Sequence, residues 1–250
     1  MNISTLGRRI YKLTQLLEQP KMWKLYPLGV EPGNYREFNQ SWLKKANIKT
    51  VIDIGANIGQ FTFLIHGILP NAKIYAFEPL PECFSVLKER TATIPEIQVF
   101  NLGLGSQDTV LTFHRNPYAD SSSFREMADL HRNQFPFTSG QEKLLEIPVK
   151  VLDSFSSQID LQDNILIKID VQGYEDEVLN GGANIISQAH MVIMEISFAP
   201  LYEKTSSFDE LYNRMKQLGF EYKGSIGQLI GPIDGAILQC DALFIKKSSI

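Results

Sequence analysis

Cysteine is nearly absent: 250 residues carry only Cys83 and Cys240, far apart and without the paired spacing of a metal site. A disulfide framework is therefore not expected, and free thiols point to a reducing compartment and a cytoplasmic location. No uninterrupted apolar run approaches the ~20 residues of a membrane span. Arg8 and Arg9 have no apolar stretch behind them, so a cleaved secretory signal is not expected. Positive charge is also short, with 24 Lys and Arg against 28 Asp and Glu, a net charge of -4 and a pI near 5.6. That balance disfavours binding to a phosphate backbone, so no nucleic-acid partner is expected. Internal repeats and low-complexity tracts are missing too.

What is present reads as an appendage and a core. Ile3, Leu6, Ile10, Leu13 and Leu17 recur at three- and four-residue spacing and predict an amphipathic helix ending near Pro20. Arg8, Arg9 and Lys12 lie on its polar side; a packed lid or a homodimer arm is favoured over a membrane-surface helix. "PKMWKLYPLGVEPG" reads as an irregular connection over the core, placing a helical cover at 1–45 and the main domain at 46–250.

From Lys49, short apolar runs alternate with helical stretches. "TVIDIG" precedes a helix starting near Gln60, and "KIYAFEP" precedes one over Pro81 to Thr91. "IQVFNLGL" is a third strand, while "TVLTFHR" and "IPVKVLDSF" read as strands around an inserted segment. "NILIKID" leads into a helix from Tyr174 to Asn180 with Gly181 as its cap, and "MVIMEIS" into one over Ser207 to Leu218. "FEYKGS" and "CDALFIKK" predict a terminal hairpin. Strand–helix alternation of this kind implies an α/β fold with an open, doubly wound, mostly parallel sheet. Such sheets take ligands beyond the carboxyl ends of their strands.

The first such strand end is "VIDIGANIGQF". Gly55 and Gly59 allow a tight turn and a close approach to a ligand. Glu78 ends the second strand about 20 residues on, where an acid can accept hydrogen bonds from ribose hydroxyls. The loop lacks the G-x-G-x-x-G of a pyrophosphate site, and Asp53 would repel a pyrophosphate while suiting an amino-acid ammonium. S-adenosylmethionine is therefore favoured over a nicotinamide dinucleotide, which leaves a nicotinamide-dependent reductase as a weaker alternative.

Four segments, "VIDIGANIGQF", "YAFEPLPECFSVL", "LIKIDVQGYEDEVLNGG" and "VIMEIS", with the late "DALFI", resemble the FkbM family of S-adenosylmethionine-dependent methyltransferases. The resemblance covers Val51 to Ile245 and implies the seven-stranded, Rossmann-like fold of that class. It also implies O-methylation of a hydroxyl on a small molecule such as a sugar, a polyketide or another secondary metabolite. Gln172 departs from the family's usual acid, whereas Lys168, Asp170, Gly173 and Glu175 match. On this reading Asp53, Gly55, Ala56, Asn57 and Gly59 contact the methionine part and the loop. Glu78 and Pro79 take the ribose side, Leu102 lies near the adenine, and Asp170 lies near the reactive methyl.

In "LIKID", Leu166, Lys168 and Asp170 share one strand face. A lysine inside a central strand is costly unless paired, so Lys168 is expected to meet Asp170 or Glu195. Lys168, Asp170, Glu195 and His114 are the catalytic candidates; Asp170, Glu195 and His114 remain open as general base. His66, His131 and His190 have weaker claims. Asp170 with Glu195 or Asp241 could hold a cation, but carboxylates at strand ends are common without metal, and no metal is expected. Tyr118 to Glu142 is long enough for a lid and, with Gln172, is expected to help choose the substrate. Asn116 to Tyr118 resembles the N-P-P-Y of amino-methylating enzymes but lies outside its proper strand end, and is read as coincidence. A non-catalytic binding protein on the same fold is the other alternative.

Overall fold

The computed structural model describes residues 14 and 16–247. Most of the predicted N-terminal helix lies outside them. Of its apolar stripe only Leu17 is described, and it is exposed, whereas the neighbouring Leu16 is buried.

Among the described residues, ten strands form two sheets. The larger contains β1 (Thr50–Ile54), β2 (Lys73–Phe77), β3 (Ile97–Phe100), β7 (Ile165–Ile169), β8 (Met191–Ser197), β9 (Phe220–Ile230) and β10 (Ile237–Lys246), in the order β3-β2-β1-β7-β8-β10-β9. The first five of that order run parallel, and β10 is antiparallel to both β8 and β9. This is the expected doubly wound, mostly parallel seven-stranded sheet. β1 and β7 are buried at every position, as central strands covered on both faces must be.

One face, with Ile52, Ile167, Met194 and Phe244, packs on helices Glu175–Gly181, Ala183–Gln188 and Phe208–Gln217. The other, with Val51, Leu166 and Ile193, packs on helix Gln60–Ile68 and on the segment from Met22 to Leu43. That segment is not irregular. It forms helices Met22–Leu25, Pro32–Phe38 and Ser41–Lys45 with a 3-10 turn at Tyr26–Leu28, and its Met22 and Leu43 have no exposed surface. Pro32 at a helix start has the φ a first turn needs and lacks only an N–H that would be unpaired there.

The third predicted strand divides. Ile97–Phe100 joins the large sheet, while β4 (Gly103–Leu104) pairs with β6 (Lys143–Lys150), which also pairs with β5 (Thr109–Arg115) in a three-stranded side sheet. The segment between β5 and β6 is folded rather than a bare loop. It holds 3-10 turns at Ala119–Ser121 and Pro136–Thr138 and a helix at Asp129–Gln134. Phe135 from it packs with Leu201, Tyr202 and Leu238.

Helix Phe208–Gln217 starts as predicted, with a reciprocal cap: Ser207 Oγ accepts from Glu210 N and the Glu210 carboxylate accepts from Ser207 N. Gly181, expected as a cap, is instead the last helical residue. A Cβ there would lie 1.8 Å from the Gly105 carbonyl oxygen, so close backbone approach, not a left-handed turn, demands the glycine.

Candidate active site

A cavity of about 460 Å³ opens at the carboxyl ends of β1, β2, β7 and β8, in the size range of small-molecule sites. At its first end the turn after β1 runs against β7. Gly55 has φ 85°, and a Cβ on it would stand 1.8 Å from the Asp170 carbonyl oxygen. Asn57 follows at φ 51°, donating from its backbone N–H to Glu78 Oε2 at 2.7 Å. Glu78 Oε1 accepts from Leu80 N at 2.8 Å. One carboxylate thus ties the turns after β1 and β2 together, with each oxygen retaining a lone pair. Burial outweighs these two donors and pushes the Glu78 carboxyl up to about 7.

The second end is a row of charges across the sheet. Asp53 pairs in register with Lys168, and Glu195 with Asp241, all on the face of Val51 and Leu166. Lys168 Nζ donates to Asp170 Oδ2 at 2.5 Å. Gln172 Nε2 donates to Asp170 Oδ1 at 2.8 Å and to Glu195 Oε2 at 2.7 Å, while its Oε1 accepts from Tyr202 Oη at 2.9 Å. Gln239 Nε2 adds a second donor to Glu195 Oε2 at 3.1 Å. Burial acts to raise Asp170, but the Lys168 charge and the donors from Lys168 and Gln172 hold it below the ordinary carboxylate range. Burial, with the charges of Asp170 and Asp241, pushes Glu195 well above that range. Burial would lower Lys168, yet its carboxylate neighbours, Asp170 first, raise it and keep it charged.

The structure brings Gly55, Ala56, Asn57, Glu78, Pro79, Leu102, Asp170, Lys168 and Glu195 to the cavity wall. Three expected residues are not there. Asp53 lies beneath the wall, fully buried, with Oδ2 accepting from Thr62 Oγ1 at 2.6 Å and Oδ1 without a hydrogen-bond partner among the described residues. Burial pushes Asp53 up to about 6, against the lowering charge of Lys168. Gly59, at φ 99°, opens helix Gln60–Ile68 against Phe63 and Leu87 instead of facing the cavity. His114 projects from the side sheet, where Nδ1 lies 3.1 Å from Glu142 Oε2, and it does not line the cavity.

Other wall residues were not singled out individually in the sequence, although some of them fall in the 118–142 segment expected to help choose the substrate. Glu31, Asn34 and Phe38 come from the helical segment before β1, and Asp120, Ser122 and Phe124 from the segment between β5 and β6. Asp120 Oδ1 accepts from Asn57 Nδ2 at 2.7 Å, which places the first 3-10 turn of that segment over the glycine loop. The rest is pinned below: Ser123 Oγ donates to the Gln172 carbonyl at 2.7 Å, and Arg125 forks onto Asp176 at 2.7 and 2.8 Å. Asp241, weighed only as a cation ligand, also lines the wall.

This geometry matches what the chain resembles. The methyltransferase FkbM domain model matches residues 53–222. The chain belongs to the FkbM methyltransferase family. It is 25% identical over 158 residues to the 2-O-methyltransferase NoeI of Sinorhizobium fredii, across 61% of this chain and 65% of that protein. To the hexuronic acid methyltransferase AglP of Haloferax volcanii it is 27% identical over 145 residues, across 58% of this chain and 54% of that protein. Among solved structures, the magnesium protoporphyrin IX methyltransferase ChlM from Synechocystis PCC 6803 aligns with a TM-score of 0.46 at 9% identity, across 85% of this chain and 78% of that one.

S-adenosylmethionine, the family's cofactor, fits the residues present. Gly55 and Ala56 present their turn to the cavity while packed against the Asp170 carbonyl, and Glu78 keeps acceptor capacity for two hydroxyls. A dinucleotide fits poorly. Among the described wall residues Lys168 is the one cation, and Asp170 already engages it, so nothing free remains to meet a pyrophosphate. No group of three His, Cys, Asp or Glu among the described residues is arranged to hold a metal ion. No helix among them is long and apolar enough to cross a membrane.

Proposed function

We propose that the protein transfers the methyl group of S-adenosylmethionine to a hydroxyl of a small molecule. One observation carries the reading: a single cavity joins the Gly55–Glu78 end to the Lys168–Asp170–Glu195 end. The cofactor, when bound, supplies an electrophilic methyl on a sulfonium. The chain's residues do the remainder. Glu78, Asn57 and Pro79 hold the ribose side, with Leu102 beside the base. Asp170, kept ionised by Lys168, faces the sulfonium side of the cavity with a fixed negative charge, and Gln172 fixes Asp170 relative to Glu195. Positioning two reactants in one cavity accounts for much of the expected acceleration, about 7–11 kcal/mol in well-oriented cases. The 2-O-methyltransferase name of NoeI supports a hydroxyl as acceptor.

The same proposal takes residues 1–45 as a cover over the main domain. It has the enzyme acting in the cytoplasm on a diffusible acceptor without nucleic acid, and pairing through the N-terminal helix. Sedimentation of the full chain against one lacking residues 1–17 tests the pairing. Calorimetric titration with S-adenosylhomocysteine, with NADH as control, tests the activity class. Binding of the first and not of the second is expected. The reverse would replace a methyltransferase with a nicotinamide enzyme.

A further inference from the structure

Counting hydrogen bonds at the β7–β10 end separates its carboxylates. Both Asp170 oxygens are occupied, one by Lys168 and one by Gln172. Glu195 Oε2 takes two donors, from Gln172 and Gln239. Asp241 differs: it lines the cavity, stands opposite Glu195 in the ladder, and has no hydrogen-bond partner among the described residues. Half-buried at the wall, its carboxylate is reachable from the cavity and keeps its full acceptor capacity for a ligand hydroxyl. Burial raises its carboxyl above the ordinary range, against the lowering charge of Lys168, so its affinity for a proton is greater than that of a free carboxylate.

The wall also discriminates by charge. Glu31, Glu78, Asp120, Asp170, Glu195 and Asp241 line it; burial favours the neutral form of Glu78, Glu195 and Asp241, Asp170 stays ionised, and the lone cation among the described wall residues is already paired. A carboxylated or phosphorylated acceptor would enter beside like charge with no free cation to receive it. Adjacent hydroxyls, by contrast, are donors that a row of carboxylate oxygens can accept. Phe38 and Phe61, 5.6 Å apart edge to face, offer an apolar surface for the carbon skeleton.

We propose that Asp241 is a catalytic residue that binds the acceptor hydroxyl and takes its proton, and that the acceptor is an uncharged polyhydroxylated molecule, not an acidic one. The inference rests on the methyltransferase reading above. As the acceptor oxygen's lone pair forms the new C–O bond, the C–S bond of the cofactor breaks with its electron pair passing to sulfur. The hydroxyl proton passes to Asp241.

The test incubates the full chain and S-adenosylmethionine with methyl glucoside, galactoside and rhamnoside and with the matching methyl glucuronide and galacturonide, reading S-adenosylhomocysteine by mass spectrometry. Neutral glycosides are expected to turn over at least about tenfold faster than the uronides. Asp241→Asn is expected to lower kcat roughly 10²-fold or more and to remove the acid limb of its pH profile, with S-adenosylhomocysteine affinity unchanged. Asp241→Ser serves the same purpose if the first variant is insoluble. Equal or faster turnover of uronides, or no neutral glycoside accepted while S-adenosylhomocysteine still binds, overturns the acceptor class and leaves the methyltransferase reading standing. A kcat for Asp241→Asn near wild type overturns the role of Asp241. Failure of the wild type to bind S-adenosylhomocysteine strikes the underlying reading instead.

Discussion

At the β1–β2 end of the cavity the chain shapes the site with backbone: positive φ at Gly55 and Asn57, a carbonyl contact that admits no side chain, and two N–H groups gathered by Glu78. At the β7–β10 end side chains from three strands, β7, β8 and β10, make the site, with Gln172, from the turn after β7 at φ 56°, tying Asp170 to Glu195. The first end is a shape and tolerates little change. The second is a balance of charges and can be retuned by isosteric substitution.

The largest effect follows from breaking the shape. Gly55→Ala puts a methyl on the Asp170 carbonyl in a conformation that disfavours any side chain, and calorimetry should find no S-adenosylhomocysteine binding. Retained binding would mean the turn is not rigid. Glu78→Ala leaves the N–H groups of Asn57 and Leu80 without their acceptor, at about 1–3 kcal/mol each. S-adenosylhomocysteine affinity should fall by roughly one to two orders of magnitude.

At the charged end the sharper probe is pH. Glu175 Oε1 accepts from Val171 N and Gly173 N, and burial pushes its carboxyl up to about 7. The folded state therefore holds a proton that the unfolded chain releases nearer pH 4, so this stability is present at low pH and lost as pH rises through about 7. Asp53, up to about 6, and Glu78, up to about 7, act in the same direction. Thermal unfolding should show lower stability at pH 8 than at pH 5. Glu175→Gln, which keeps the accepting oxygen, should recover up to about 3 kcal/mol of this at pH 8 and little at pH 5. A flat profile would contradict the buried-carboxylate account. The smallest effect belongs to the roof. Asp120→Ala frees Asn57 Nδ2 and should weaken S-adenosylhomocysteine about two- to fivefold, while His114→Ala should leave turnover unchanged.

The two ends were not equally legible in the sequence. The backbone-built end announces itself locally, because a strand, a glycine turn and an acid about 20 residues on lie in one short span. Even there, alternation along β1 places Asp53 under the sheet with Thr62, a burial that the D-x-G-x-N-x-G spacing does not disclose. At the charged end the Lys168–Asp170 pair followed from strand alternation and the cost of a buried lysine. Asp241 did not, since only the antiparallel pairing of β10 with β8 carries it to Glu195. Glu31, Asn34 and Phe38 were hidden for a related reason. Their short helices have too few turns for a period to show, and long-range packing, not local pattern, puts them on the wall.

The central claim is that one cavity divides into a cofactor end held by Glu78 and an acceptor end served by Asp241. Titrating S-adenosylhomocysteine into Glu78→Ala and Asp241→Asn side by side tests it most directly. The account predicts about tenfold or greater weakening in the first and affinity within about twofold of wild type in the second. Equal losses in both, or a loss confined to Asp241→Asn, would contradict it.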